Sequence, residues 1–234
     1  MSDQRLRELE RRFRATGAPE DEAPLLQERL RRGDLSAARL ELAAYLGHEG
    51  AALACKAEGI APPTHVDVGL AHLPAAERDH WRRLTQEVID DPGRALISGL
   101  ADLQRPAWSL GLARFGAHVC LRAVVAGSSV LLDCARPGQG SLPEHLQLAA
   151  DAVRGDPAAK ATAARLPLPP HVEFDPMARL QNEVCMTVLG QDPDAPHRLT
   201  AALSEVLRRA RREEAFQLAA RAALVPWTLK LAQA

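Results

Sequence analysis

A carboxylate and an imidazole three residues apart are the groups in this chain best spaced for chemistry. Glu77-Arg78-Asp79-His80 falls in a segment predicted helical, where that spacing sets both side chains on one face, as in the metal centres of helical bundles. A centre of that kind needs a second copy, and no other Glu-x-x-His occurs. Asp194-Ala195-Pro196-His197 has the same spacing but crosses a proline in a loop or helix start. A solvated helix face is therefore the expected role of Glu77 and His80, and no metal ligand is assigned.

Nucleophiles fare no better. His118 and Cys120 are two apart, on opposite faces of a helix and on one face of a strand, so a Cys–His pair would need the strand and a third orienting group. Gly127-Ser128-Ser129-Val130 lacks the second glycine of a nucleophile elbow. Gly138-Gln139-Gly140-Ser141 opens a Gly-x-Gly with no Gly-Lys-Ser/Thr after it, so it reads as a turn before Pro143 rather than a phosphate cradle. The four cysteines, Cys55, Cys120, Cys134 and Cys185, form no Cys-x-x-Cys pair and are expected to be free, reduced and structural. No catalytic, cofactor-binding or metal-binding residue follows from these patterns, and no cofactor is expected.

Arg208-Arg209-Ala210-Arg211-Arg212 is the sharpest charge feature. It could meet nucleic acid or an acidic protein, but Glu213 and Glu214 follow at once, and cations are favourable at the negative end of a helix. Over the whole chain 29 basic residues face 30 acidic ones, so no net field recruits a polyanion or an anionic membrane. Aromatic residues make up 3%, too few for the stacking platforms of single-strand readers, and Trp81, Trp108 and Trp227 sit in apolar segments as core anchors. Nucleic acid is not an expected partner. No apolar run approaches the roughly 20 residues of a bilayer span, and the first residues are charged with no apolar stretch, so neither a membrane nor a secretory signal is expected. The cytoplasm is the expected location.

With 47% apolar and 25% charged residues, the chain has the makings of a folded core, built mainly from Leu, Ala and Val. Helix signals dominate. Leu6, Leu9 and Phe13 recur at helical spacing over 5–16, and Gly17 stops that helix. A second helix follows Pro19, a third runs from Asp34 or Ser36 to Leu46, and a fourth covers about 51–58. Asp-Pro pairs at 91–92, 156–157, 175–176 and 192–193 mark further starts, with Pro196 an alternative to the last. Later helices are predicted over about 75–90, 93–103, 106–126, 143–154, 158–166, 176–189, 196–212 and 213–224. The fold expected is all-α, a multi-helical bundle or helical-hairpin array. A short β element near 119–133 is an alternative there, because Val124, Val125 and Val130 flank a Gly-Ser-Ser. The proline-rich stretch 59–74 reads as a linker between an N-terminal helical module, 1–58, and a larger helical domain, 75–234.

Two segments carry a resemblance. LRELERRFRATGAPEDEAPLLQERLRRGDLSAARLELAAYLGHEGAALA, residues 6–54, resembles a helical N-terminal module of proteins from large GC-rich bacterial genomes. LRAVVAGSSVLLDCARPGQGSLPEHLQLAADAVRGDPAAKATAARL, residues 121–166, resembles the Ala-rich helical hairpin of all-α immunity proteins associated with bacterial polymorphic toxins. The second resemblance implies a non-enzymatic bacterial protein that binds another protein, such as a toxin or defence component. Alternatives are a helical scaffold or regulatory adaptor, and an enzyme or metal-binding protein whose motif the sequence does not display.

Overall fold

The computed structural model describes residues 2–61, 108–135, 141–167 and 175–230. Within them 79% of residues are helical and none is in a strand, so the fold is all-α. Two compact units emerge. One comprises Met1–Pro63 with Arg221–Ala234, and the other comprises Thr64–Ala220. The predicted linker 59–74 is described only at residues 59–61, and the helices predicted over 75–90 and 93–103 lie outside the described residues.

In the first unit, local chemistry fixes the ends of four helices: α1 (Ser2–Thr16), α2 (Pro19–Arg31), α3 (Ala37–Tyr45) and α4 (Glu49–Ala57). Pro19 opens α2, where its missing N–H has no helical partner to lose. Ser36 Oγ accepts from the Arg39 N–H at 3.4 Å and begins α3. Between α3 and α4, Gly47 takes φ +81°, a conformation costly to any residue with a Cβ. The core gathers Leu26 from α2, Leu35 before α3, Leu40 and Ala43 from α3, Ala51 and Ala54 from α4, and Leu229 from far along the chain.

Among its described residues the second unit opens on a 3₁₀ helix, Trp108–Phe115, followed by α5 (Ala117–Ala126), α6 (Ser128–Cys134), α7 (Leu142–Arg154) and α8 (Ala159–Ala163). After them come α9 (Pro176–Leu189), α10 (Ala195–Ala210) and α11 (Glu213–Leu229), the last belonging to this unit up to Ala220 and to the first unit from Arg221. Asp175 Oδ1 accepts from the Met177 N–H at 3.0 Å with Pro176 behind it, the cap that the Asp-Pro pair predicts. Asp192 instead turns back to the Asp194 N–H at 2.8 Å, and α10 starts at Ala195 with Pro196 in its first turn. Replacing Asp175 with alanine should cost about 1 kcal/mol, the usual worth of an N-cap. A denaturation midpoint unmoved by Asp175→Ala would contradict that bond.

Three sequence expectations need correction. Residues 119–133 hold no strand; they are two helices bent by 67° about Gly127, whose N–H donates to Ala123 O at 2.9 Å and whose carbonyl accepts from the Leu131 N–H at 3.0 Å. The single helix predicted over 106–126 is divided, because Gly116 takes φ +92° and breaks the path between the 3₁₀ helix and α5. The last helix runs past Leu224 to Leu229 and carries Pro226 inside it. Among the described residues, no single helix is long and apolar enough to cross a membrane.

Candidate functional site

Helical geometry separates the residues that spacing brought together. His118 and Cys120 both lie on α5, but His118 is exposed and its Nε2 accepts from Arg122 Nε at 2.8 Å. Cys120 is buried, and burial pushes its thiol up to about 12, which suppresses the nucleophilic thiolate. Asp194 and His197 share a helix start in which the His197 N–H donates to Asp194 O at 3.0 Å; their side chains join no metal-holding group. Among the described residues no three His, Cys, Asp or Glu side chains converge to hold a metal. Glu77, His80, Trp81 and Gly138–Gly140 lie outside the described residues.

All four cysteines are free. Cys55, Cys120 and Cys185 are buried, and Cys134 is half-buried. Burial pushes the Cys55 thiol up to about 11. A thiol reagent at neutral pH is therefore expected to titrate Cys134 first and to reach four equivalents only after unfolding. Rapid modification of all four in the native protein would contradict this placement.

The arginine cluster closes α10. Arg208 and Arg209 occupy its last turn, where Arg209 pairs with Glu205 at 2.6 Å, and Arg211 takes the left-handed conformation that ends the helix. Its N–H donates to Arg208 O, satisfying a carbonyl that the helix leaves open.

The first unit shows a constellation that spacing did not reveal. Glu22 on α2, His48 before α4 and Arg221 on α11 line one cleft of about 600 Å³ with Phe13 and Val225. Glu22 Oε2 lies 3.5 Å from His48 Nε2, and Arg221 Nη2 donates to Gly47 O at 2.8 Å. His48 Nδ1 accepts from the Ala51 N–H at 3.2 Å, so the imidazole caps α4. That bond places the ring proton on Nε2, toward Glu22. Both imidazole nitrogens are thus engaged. The cluster brackets three helices. Burial raises the Glu22 pKa, partly offset by Arg29, while burial and then Arg221 lower that of His48.

The sign of the resulting pH dependence follows from these directions. A lowered folded pKa means that acidification favours the unfolded state, beginning as pH falls below the ordinary histidine value of 6.5. Glu22 opposes this, because a raised carboxylate takes up a proton more readily in the folded state. His48→Asn keeps a side-chain acceptor at the cap and removes the titration. Its stability relative to the parent should therefore rise between pH 7.5 and pH 5.5 in denaturation experiments. An unchanged difference across that range would show that His48 does not titrate against the fold.

Beside this cleft, α1 is displayed rather than enclosed. None of its residues from Gln4 to Thr16 is fully buried, and Leu6, Leu9 and Phe13 are half-buried. Helix α2 holds it by polar contacts. Arg12 pairs with Asp21 and Arg5 with Glu28 at 3.5 Å, while Thr16 Oγ1 donates to Asp21 Oδ2 at 2.7 Å. Asp21 is 7% and Glu28 8% exposed, so these acids are covered by arginines of α1 rather than solvated. Asp21 also stands in the first turn of α2, at the positive end of its dipole, so α1 covers an acid that the helix itself favours. Between α1, α2 and Lys230 runs a groove of about 720 Å³ with Leu6, Phe13 and Leu25 in its walls. In comparisons with known proteins, no family model, curated protein or solved structure matches the chain.

Proposed function

We propose that this chain is a non-enzymatic helical protein-interaction module, of the immunity or defence-associated kind, and that its first unit engages the partner protein. One observation carries the reading. Helix α1 keeps an apolar stripe of Leu6, Leu9 and Phe13 half-open, with Leu6 and Phe13 in the wall of a groove, and is tethered to α2 by ion pairs. An apolar stripe at helical spacing suits a partner's apolar side chains, and a half-open aromatic such as Phe13 anchors such contacts once a partner covers it.

The test is a reconstituted complex. A partner identified by co-purification from the native cell is purified and mixed with the parent chain and with Phe13→Asp. A stoichiometric complex that the substitution weakens at least tenfold is expected, on the scale of losing one anchor residue. If the partner is toxic, co-expression of the parent but not the variant should restore growth. Equal binding by both chains would remove α1 from the interface, and failure of any partner to form a complex would remove the reading.

A further inference from the structure

We infer that the α1 groove takes an acidic amphipathic helix of the partner, an inference that rests on the interaction reading above and names the partner's chemistry. With about 100° per residue, α1 divides its residues among faces. Arg5 and Arg12 turn to Glu28 and Asp21 on α2, and Leu6 and Phe13 line the groove. Arg7, Arg11 and Arg14 recur at spacings of four and three on the outer face, where they are exposed. Among the described residues these three enter no ion pair.

Charge decides the occupant. Arg14, Arg29 and Lys230 border the groove and Arg7 and Arg11 line an adjoining surface that shares Glu10 and Arg14 with it, against Glu10 and Asp34 as the only acids lining either surface among the described residues. Cations on successive turns of α1 rise about 5.4 Å apart, the interval at which carboxylates recur along one face of a partner helix. The apolar wall of Leu6, Phe13 and Leu25 calls for Leu-like side chains between those carboxylates. A nucleic-acid backbone presents no such stripe, and Glu10 and Asp34 repel a continuous polyanion.

The probe is a fluorescein-labelled peptide of about 18 residues, long enough for a helix, with leucines at helical spacing and glutamates on the flanks. Its twin carries lysines in place of the glutamates, and mixed-sequence single-stranded DNA serves as a third ligand. Anisotropy with the full chain should show saturable binding of the glutamate peptide, at least tenfold tighter than of the lysine twin and weakened by salt. The triple variant R7E, R11E, R14E should lose at least tenfold, while Arg208→Gln with Arg211→Gln should change nothing. Arg5 and Arg12 are untouched, and circular dichroism checks that the triple variant stays helical. Should it not fold, Arg14→Gln with Lys230→Gln carries the test, with an expected loss of about threefold for two exposed charges.

Equal binding of the two peptides, DNA binding as tight as that of the glutamate peptide, or full affinity in the folded triple variant would overturn the inference. Absence of saturable binding by the glutamate peptide would overturn it too. If that occurs while the Phe13-dependent complex still forms, the acidic-helix inference falls and the interaction reading stands.

Discussion

Replacing Gly127 with valine is expected to destroy the packing of the second unit. Gly127 is buried at the bend between α5 and α6, with φ −90°, an angle any residue can adopt. Glycine is needed there for another reason. A Cβ at this position would lie 3.0 Å from Phe216 Cζ and nearer still to the ring edge, closer than real side-chain contacts allow. Phe216 is 0% exposed, and the Trp108 ring meets it edge-on with centroids 6.5 Å apart, so the ring has little room to withdraw. Overpacking a core usually costs about 1–3 kcal/mol and sometimes more. With a displaced aromatic, Gly127→Ala should reach the top of that range and Gly127→Val exceed it, a large share of the roughly 5–15 kcal/mol that holds a domain together. Urea titration of Gly127→Ala, alone and with Phe216→Leu, measures the effect. The smaller side chain should restore part of the loss, and a Gly127→Ala midpoint equal to the parent's would show that the ring does not lie against the glycine.

Leu229→Ala is expected to destabilise the first unit by about 2–5 kcal/mol, the range for truncating a fully buried leucine. Leu229 is 0% exposed and packs in the cluster of Leu26, Leu35 and Leu40, although some 190 positions separate it from Leu40. The turn that carries it is well made. Thr228, also 0% exposed, donates from Oγ1 to Leu224 O at 2.6 Å, which satisfies a hydroxyl that burial would otherwise leave costly. Nearby, Arg39 stacks over the Trp227 ring at 5.0 Å from its centroid. Leu218, by contrast, is 59% exposed on the same helix, and Leu218→Ala should leave stability nearly unchanged. Thermal or urea unfolding of the two variants separates them. Similar midpoints would show that 221–229 does not contribute to the core of the first unit.

Much of the helical content was legible because its causes are local. The Asp175-Pro176 start, the ends at Gly155 and Gly190 and the amphipathic stripe of α1 all arise within one or two turns of chain. Where two local signals competed, the sequence could not choose. Val124, Val125 and Val130 favour a strand by β-branching, yet helices form on both sides of Gly127, where the close Phe216 ring leaves space for hydrogen alone. That ring comes from a segment about 90 residues away, so no window around 119–133 contained the deciding contact.

The same distinction governs the site. Composition, spacing and caps determined an all-α chain with a one-sided N-terminal helix, because backbone hydrogen bonds and helical periodicity join residues only three or four apart. The tertiary structure decided which polar groups are covered. Asp21, Glu22 and Glu28 belong to one short helix and look alike in sequence, but Arg12 and Arg5 of α1 cover the first and third, and His48 faces the second. His48 became a cap, Leu229 a core residue and Phe13 a groove wall only once separate helices met, since burial and electrostatic environment depend on what lies across the gap.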